Sequence, residues 1–157
     1  MKNDRLFACL RELGLGPSVE TFSERKRLQK LVYLLQVFGV ELNFSYSWYL
    51  HGPYSPSLTQ VLYEMAGQPR DKASSMNLNS EDAQRVRGLK AFLGDNMNST
   101  DFLELLVSLH YAKEVGKSAG LSRNEINRLL RQKKPFFSEQ EISNCWRMLE
   151  LLERTKQ

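Results

Sequence analysis

Trp48-Tyr49-Leu50-His51-Gly52-Pro53-Tyr54-Ser55-Pro56-Ser57-Leu58 compresses a strand, a bend and a helix start into one short stretch. From Phe44 onward bulky apolar residues alternate with smaller or more polar ones, Phe44, Tyr46, Trp48 and Leu50 against Ser45, Ser47 and Tyr49. That period of two predicts a short strand or hairpin near residues 44–51 with one buried face. Gly52 and Pro53 are expected to stop it. Ser55 reads as an N-cap, with Pro56 at the first helical position, where a missing N–H costs nothing and the fixed φ suits the helix.

Upstream, Thr21 and Glu24 stand at capping-box spacing ahead of a helix over residues 24–38, which Gly39 ends. The second half of that helix is apolar on nearly every side, which puts it at the centre of the core. Leu6, Phe7, Leu10 and Leu13 share one face of a first helix over residues 3–13, closed by Gly14. Downstream, the helix from Pro56 runs to about Ala66, and residues 67–79, rich in Gly, Pro, Ser, Asn and charge, predict a mobile loop. Asn79 or Ser80 caps a helix carrying Val86, Leu89, Phe92 and Leu93, which Asp95-Asn96-Met97-Asn98 breaks. Ser99 or Thr100 opens the next, with Phe102, Leu103, Leu105, Leu106 and Leu109 at helical spacing.

Two further capping boxes, Ser122 to Glu125 and Ser138 to Glu141, are preceded by Leu121 and Phe137, each placed to staple onto Ile126 or Ile142. Lys133-Lys134-Pro135 is the corner between those helices, because the residue before proline avoids helical geometry. The expected fold is therefore mainly α, a single compact domain over residues 1–157 with about seven helices, one short strand or hairpin and no internal repeat.

At 157 residues the chain is long enough to hide roughly 70% of its unfolded surface in one domain. Its 41% hydrophobic and 25% charged residues are those of an ordinary soluble globular protein and argue against extended disorder. No apolar run approaches the ~20 residues of a membrane span, and the first residues lack the apolar core of a signal peptide. A cytoplasmic location without membrane contact is expected. Cys9 and Cys145 lie far apart within apolar helical patterns and read as small buried hydrophobes, not as a disulfide.

Chemistry-bearing motifs are absent: the sequence holds no Gly-x-Ser-x-Gly, no phosphate-cradling glycine loop and no metal-ligand spacing among His51, His110 and the two cysteines. No metal, cofactor or catalytic residue is expected. His51 beside Tyr49 and Tyr54 is conceivable as an acid–base site, but a strand-end histidine among packing tyrosines is the preferred reading. The chain reads as a non-enzyme.

Arg25, Lys26, Arg27 and Lys30 occupy the first turns of a helix, where positive charge opposes the macrodipole. One reading is contact with a nucleic-acid backbone, since helix, strand, bend and helix superficially resemble a winged helix. The other is a solvated face paired with Glu20, Glu24 or Glu41. Arg128, Arg131, Lys133 and Lys134 form a second basic patch with the same two readings; the net charge of +4 permits a nucleic acid without requiring one. Phe38, Phe44, Tyr46, Trp48, Tyr49, Tyr54 and Tyr63 are more aromatics than local packing needs. Most belong to the core, and Trp48, Tyr49, His51 and Tyr54 are candidates for a protein-binding surface, with Tyr49 and Tyr54 exposed because they fall out of phase with the buried face.

Leu28-Gln29-Lys30-Leu31-Val32-Tyr33-Leu34-Leu35-Gln36 and the stretch Trp48 to Leu58 together resemble the Leu-Gln-Lys-Leu-x-Tyr and Tyr-Gly-Pro-Tyr-Ser-x-x-Leu pattern of SocA-like, Panacea-domain proteins. Leu103 to Tyr111 and Lys134 to Ile142 resemble the C-terminal helices of the same group, so the likeness reaches across most of the chain from Arg25 onward. It is closest to the uncharacterised relatives that carry Gly-Pro-Tyr-Ser. The resemblance implies a mainly helical module that works by binding another protein, in the antitoxin branch a toxin, and in some loci a component of phage defence. It supplies no catalytic residues.

Overall fold

The computed structural model describes residues 3–16, 18–67 and 76–155, with the side chain of residue 155 left aside. Of the loop expected over residues 67–79, residues 68–75 lie outside the described residues. Among the described residues, seven α-helices and one hairpin follow in the order α1 (Asp4–Glu12), α2 (Phe22–Val37), β1 (Ser47–Tyr49), β2 (Gly52–Tyr54), α3 (Pro56–Ala66), α4 (Ser80–Leu93), α5 (Thr100–Ser118), α6 (Arg123–Lys133) and α7 (Glu139–Thr155). The mainly helical class expected from periodicity is the one found. Two compact units divide the chain, residues 1–100 and residues 101–157.

In the first unit α2 is the axis of the core, because its apolar residues leave no polar stripe: Leu28, Leu31, Val32, Leu34 and Leu35 are all buried. One side packs with Leu6 and Leu10 of α1 and with Leu58, Leu62 and Met65 of α3. Val86, Leu89 and Leu93 of α4 are buried as well, and α4 contacts both α1 and α2. Buried Asp82 of α4 ties that helix to α1, pairing with Arg5 at 3.2 Å, and also pairs with Arg85 of its own helix at 3.0 Å.

Helix α2 ends as its sequence directs. Gly39 takes φ 101°, its N–H bonds the Gln36 carbonyl at 3.0 Å, and the Val40 N–H reaches back to Leu35 at 3.0 Å. This double closure of the last turn needs a residue in the left-handed region, where glycine carries no Cβ penalty.

Helix α4 ends where expected, ahead of Asp95-Asn96-Met97-Asn98: Gly94 takes φ 54°, and Gly94–Asn98 form a separate 3-10 segment. Its carbonyls and Asn98 amide give Arg27 of α2 a partner, with Nε to the Met97 carbonyl at 3.0 Å and Nη2 to Asn98 Oδ1 at 2.9 Å.

The second unit is built from α5, α6 and α7. Leu103, Leu105, Leu106, Val107 and Leu109 of α5 are buried, as are Ile126 and Leu130 of α6 and Ile142, Cys145, Trp146, Leu149 and Leu152 of α7. Both capping boxes close. Ser122 and Glu125 exchange backbone and side-chain bonds at 3.1 and 3.2 Å, and Ser138 and Glu141 do so at 3.0 and 3.1 Å. The reciprocal bond lowers the pKa of the exposed Glu125 carboxyl, through the Ser122 N–H first and its hydroxyl second. A buried ion pair crosses this unit, Lys134 Nζ to Glu104 Oε2 at 2.8 Å, with both side chains 2% exposed.

Candidate functional site

The stretch from Trp48 to Leu58 folds one residue differently from its alternation. Gly52 and Pro53 do not end the strand; they form its partner, with Ser47 opposite Tyr54, Trp48 opposite Pro53 and Tyr49 opposite Gly52. The reversal falls earlier, at Leu50 and His51, which keep negative φ while Gly52 takes φ 88°. A turn of ordinary hand followed by a left-handed glycine is a common solution for short hairpins. Leu50, expected on the buried face, is therefore at the tip and 85% exposed.

What holds the hairpin is polar. Gln29, buried in α2, reads the peptide of Ser55 with both ends of its amide: Nε2 donates to the Ser55 carbonyl at 2.9 Å and Oε1 accepts from the Ser55 N–H at 2.9 Å. One turn pair further along α2, Gln36 grips Phe44 in the same way, at 3.1 and 2.8 Å. Lys30, 2% exposed, donates to the Pro53 carbonyl at 2.6 Å. The Tyr46 phenol donates to the Gln29 carbonyl at 2.8 Å, and burial, with Tyr33 beside it, pushes that phenol well above its ordinary pKa. The Leu-Gln-Lys and Gly-Pro-Tyr-Ser motifs are thus two halves of one clamp.

Above the clamp lies a cleft of about 350 Å³ formed by the start of α2, the hairpin and α3. Phe22, Tyr49, Leu50 and Tyr63 line it and are 51%, 47%, 85% and 50% exposed. Two edge-to-face pairs shape its wall, Tyr49 with Tyr54 at 5.1 Å and Phe22 with His51 at 4.8 Å between ring centroids. Gln29 also donates to the Thr59 hydroxyl at 2.8 Å, which in turn donates to the Tyr54 phenol oxygen at 2.6 Å. Arg25 and Lys26 stand at the cleft, and none of the residues that line it is acidic.

The sequence candidates divide accordingly. Tyr49, His51 and Tyr54 come together at the cleft. Trp48 is half-buried and is not among its lining residues. Tyr54, expected to be exposed, is half-buried, and Tyr63 is exposed in its place, because three residues beyond Gln60 α3 turns Tyr63 away from the buried stripe of Leu58, Leu62 and Met65. Pattern gives no reason to place Phe22 at a site, since a first-turn residue carries no periodicity signal, and the alternation puts Leu50 on the buried face.

The first basic cluster is largely engaged with backbone. Arg25 Nη1 donates to the Val19 carbonyl at 2.8 Å, Arg27 is held by the 3-10 segment and Lys30 by Pro53. These cations cap carbonyls, where pairing with Glu20, Glu24 or Glu41 was the expectation; Glu24 instead accepts from the Ser18 hydroxyl. In the second patch Lys134 is internal, paired with Glu104, Arg131 pairs with Glu139 at 2.5 Å, and Lys133 and Arg128 are exposed.

Among the described residues no group of three or more His, Cys, Asp or Glu side chains is placed to hold a metal ion, and no helix is long and apolar enough to cross a membrane. Compared with known proteins, the chain matches no family model, no curated protein and no solved structure.

Proposed function

We propose that this chain is a non-enzymatic protein-binding regulatory module, antitoxin-like, that captures a toxin or a component of a defence system through the aromatic cleft of its first unit. The observation that carries the reading is the gathering of Phe22, Tyr49, Leu50 and Tyr63, all about half exposed or more, around a single cleft. Large apolar side chains held out on a rigid frame are the usual anchors of protein interfaces, where Tyr is enriched at the energetically dominant positions. The frame here is the Gln29, Lys30 and Gln36 clamp, which fixes the hairpin before any partner arrives and so lowers the ordering cost of binding. The antitoxin-like character rests on the resemblance of the two clamp motifs to the SocA-like pattern.

The test is co-expression with the product of the gene adjacent to this one in its native host. A stable complex and relief of that product's toxicity are expected, both lost in a Tyr49→Ala, Leu50→Ser double variant whose melting temperature stays near that of the parent. Complex formation and relief that ignore these two substitutions would overturn the assignment of the cleft.

A further inference from the structure

Resting on the reading of the cleft as a docking surface, we infer that its occupant is a peptide segment of the partner in which a bulky apolar side chain is flanked by carboxylates. Three features of the cleft select that chemistry. Its walls are aromatic and aliphatic, Phe22, Tyr49, Leu50 and Tyr63, which suits an apolar anchor. Apart from the buried Lys30, its charged lining residues are the cationic Arg25 and Lys26, with no carboxylate among the residues that line it.

The third feature is the direction of its hydrogen bonds. The Gln29 amide donates to Thr59, and Thr59 donates to the Tyr54 oxygen; the phenol proton at the end of this relay has no acceptor among the described residues. The acceptor side of the relay is already used, with Gln29 Oε1 taken by the Ser55 N–H. Arg25 spends one nitrogen, Nη1, on the Val19 and Glu20 carbonyls, and its Nε and Nη2 are engaged by no other described residue. The cleft offers donors and positive charge and asks for an acceptor with negative charge, and a carboxylate beside an apolar side chain supplies both.

A single-stranded nucleic acid also brings negative charge and flat apolar faces. The cleft favours the peptide. Its most exposed apolar residue, Leu50, offers a base no stacking surface. A backbone-tracking groove also needs a file of surface cations, whereas Arg27 and Lys30 are committed to Met97, Asn98 and Pro53.

The experiment selects a random-peptide display library against the full chain, in parallel with a Tyr49→Ala, Tyr63→Ala variant. Enriched sequences are then synthesised with a fluorophore and titrated by anisotropy. Peptides bearing Asp or Glu beside Trp, Phe or Leu are expected, binding about tenfold more weakly to Lys26→Glu and losing binding to the double variant. Leu50→Ser, which removes the most exposed apolar side chain, gives a second disruption independent of any packing loss at the tyrosines. Peptides that bind through Tyr49 and Tyr63 yet carry no acidic residues would overturn the stated partner chemistry and leave the docking role standing. Absence of any enrichment that depends on those tyrosines would overturn both. Tight, steeply salt-dependent binding of labelled oligo-dT or oligo-U at the same residues would replace the peptide by a nucleic acid.

Discussion

Gln29 shows how one side chain converts a sequence motif into geometry. Its amide takes the place of a missing strand, supplying a donor and an acceptor to the peptide of Ser55 at the point where β2 ends and α3 begins. Gln29→Leu keeps the volume but leaves the buried Ser55 N–H without a partner. It should cost about 1–3 kcal/mol, measured by urea denaturation, and should weaken partner capture by loosening the hairpin. A variant with parental stability would show that the clamp is dispensable. Glu104 and Lys134 are a harsher case, since both are internal. Glu104→Ala takes the facing carboxylate from a buried ammonium and should cost about 3–5 kcal/mol, while Glu104→Leu with Lys134→Met should recover most of that loss because neither charge then has to be desolvated. The two denaturation midpoints decide the matter.

At the level of the element, helix ends were the most legible feature. Ser55, Asn79, Ser122 and Ser138 cap the helices they were assigned to, because a cap is a contract among residues three apart and needs nothing distant. Thr21 keeps half of its box: it accepts from the Glu24 N–H at 3.1 Å, but Glu24 turns to Ser18, a nearer use for its carboxylate. The strand was read correctly in kind and wrongly in extent, since alternation cannot tell a buried face from a turn tip. Gly39 closes α2 at φ 101°, with the Arg85 side chain 3.1 Å from where a Cβ would stand. Gly39→Ala should therefore lower stability by about 1–2 kcal/mol, read as a fall in melting temperature, against the small gain expected of a glycine replaced at an ordinary φ.

At the scale of the whole molecule, the two cysteines are reporters, one in each unit. Cys9 and Cys145 are 0% and 1% exposed. Burial above all pushes each thiol up to about 12, with Asp82 adding to the effect at Cys9 and Glu141 at Cys145. In the unfolded chain they titrate near 9.0, so between that pH and 12 the unfolded state has released protons that the folded state still holds, and stability falls as pH rises. Below pH 9 this linkage is silent. The folded protein should leave both thiols unmodified by a thiol-specific disulfide reagent at neutral pH, and Cys→Ala variants should lose part of the alkaline decline in stability. Rapid labelling of either thiol without unfolding would contradict the burial of its unit.

Taken by itself, the sequence determined the helical class, the position of nearly every helix start and the central place of α2, because caps and apolar periodicity are local properties. Tertiary structure alone decided the fate of the polar residues. Lys30, Lys134 and Arg27 read as surface charge until partners many residues away, at Pro53, Glu104 and Met97, absorb them. Phe22 and Tyr63 likewise become a cleft only when α2, the hairpin and α3 converge. The physical reason is that the cost of a charge or an exposed ring depends on what the fold brings within a few ångströms of it, and no spacing along the chain records that distance.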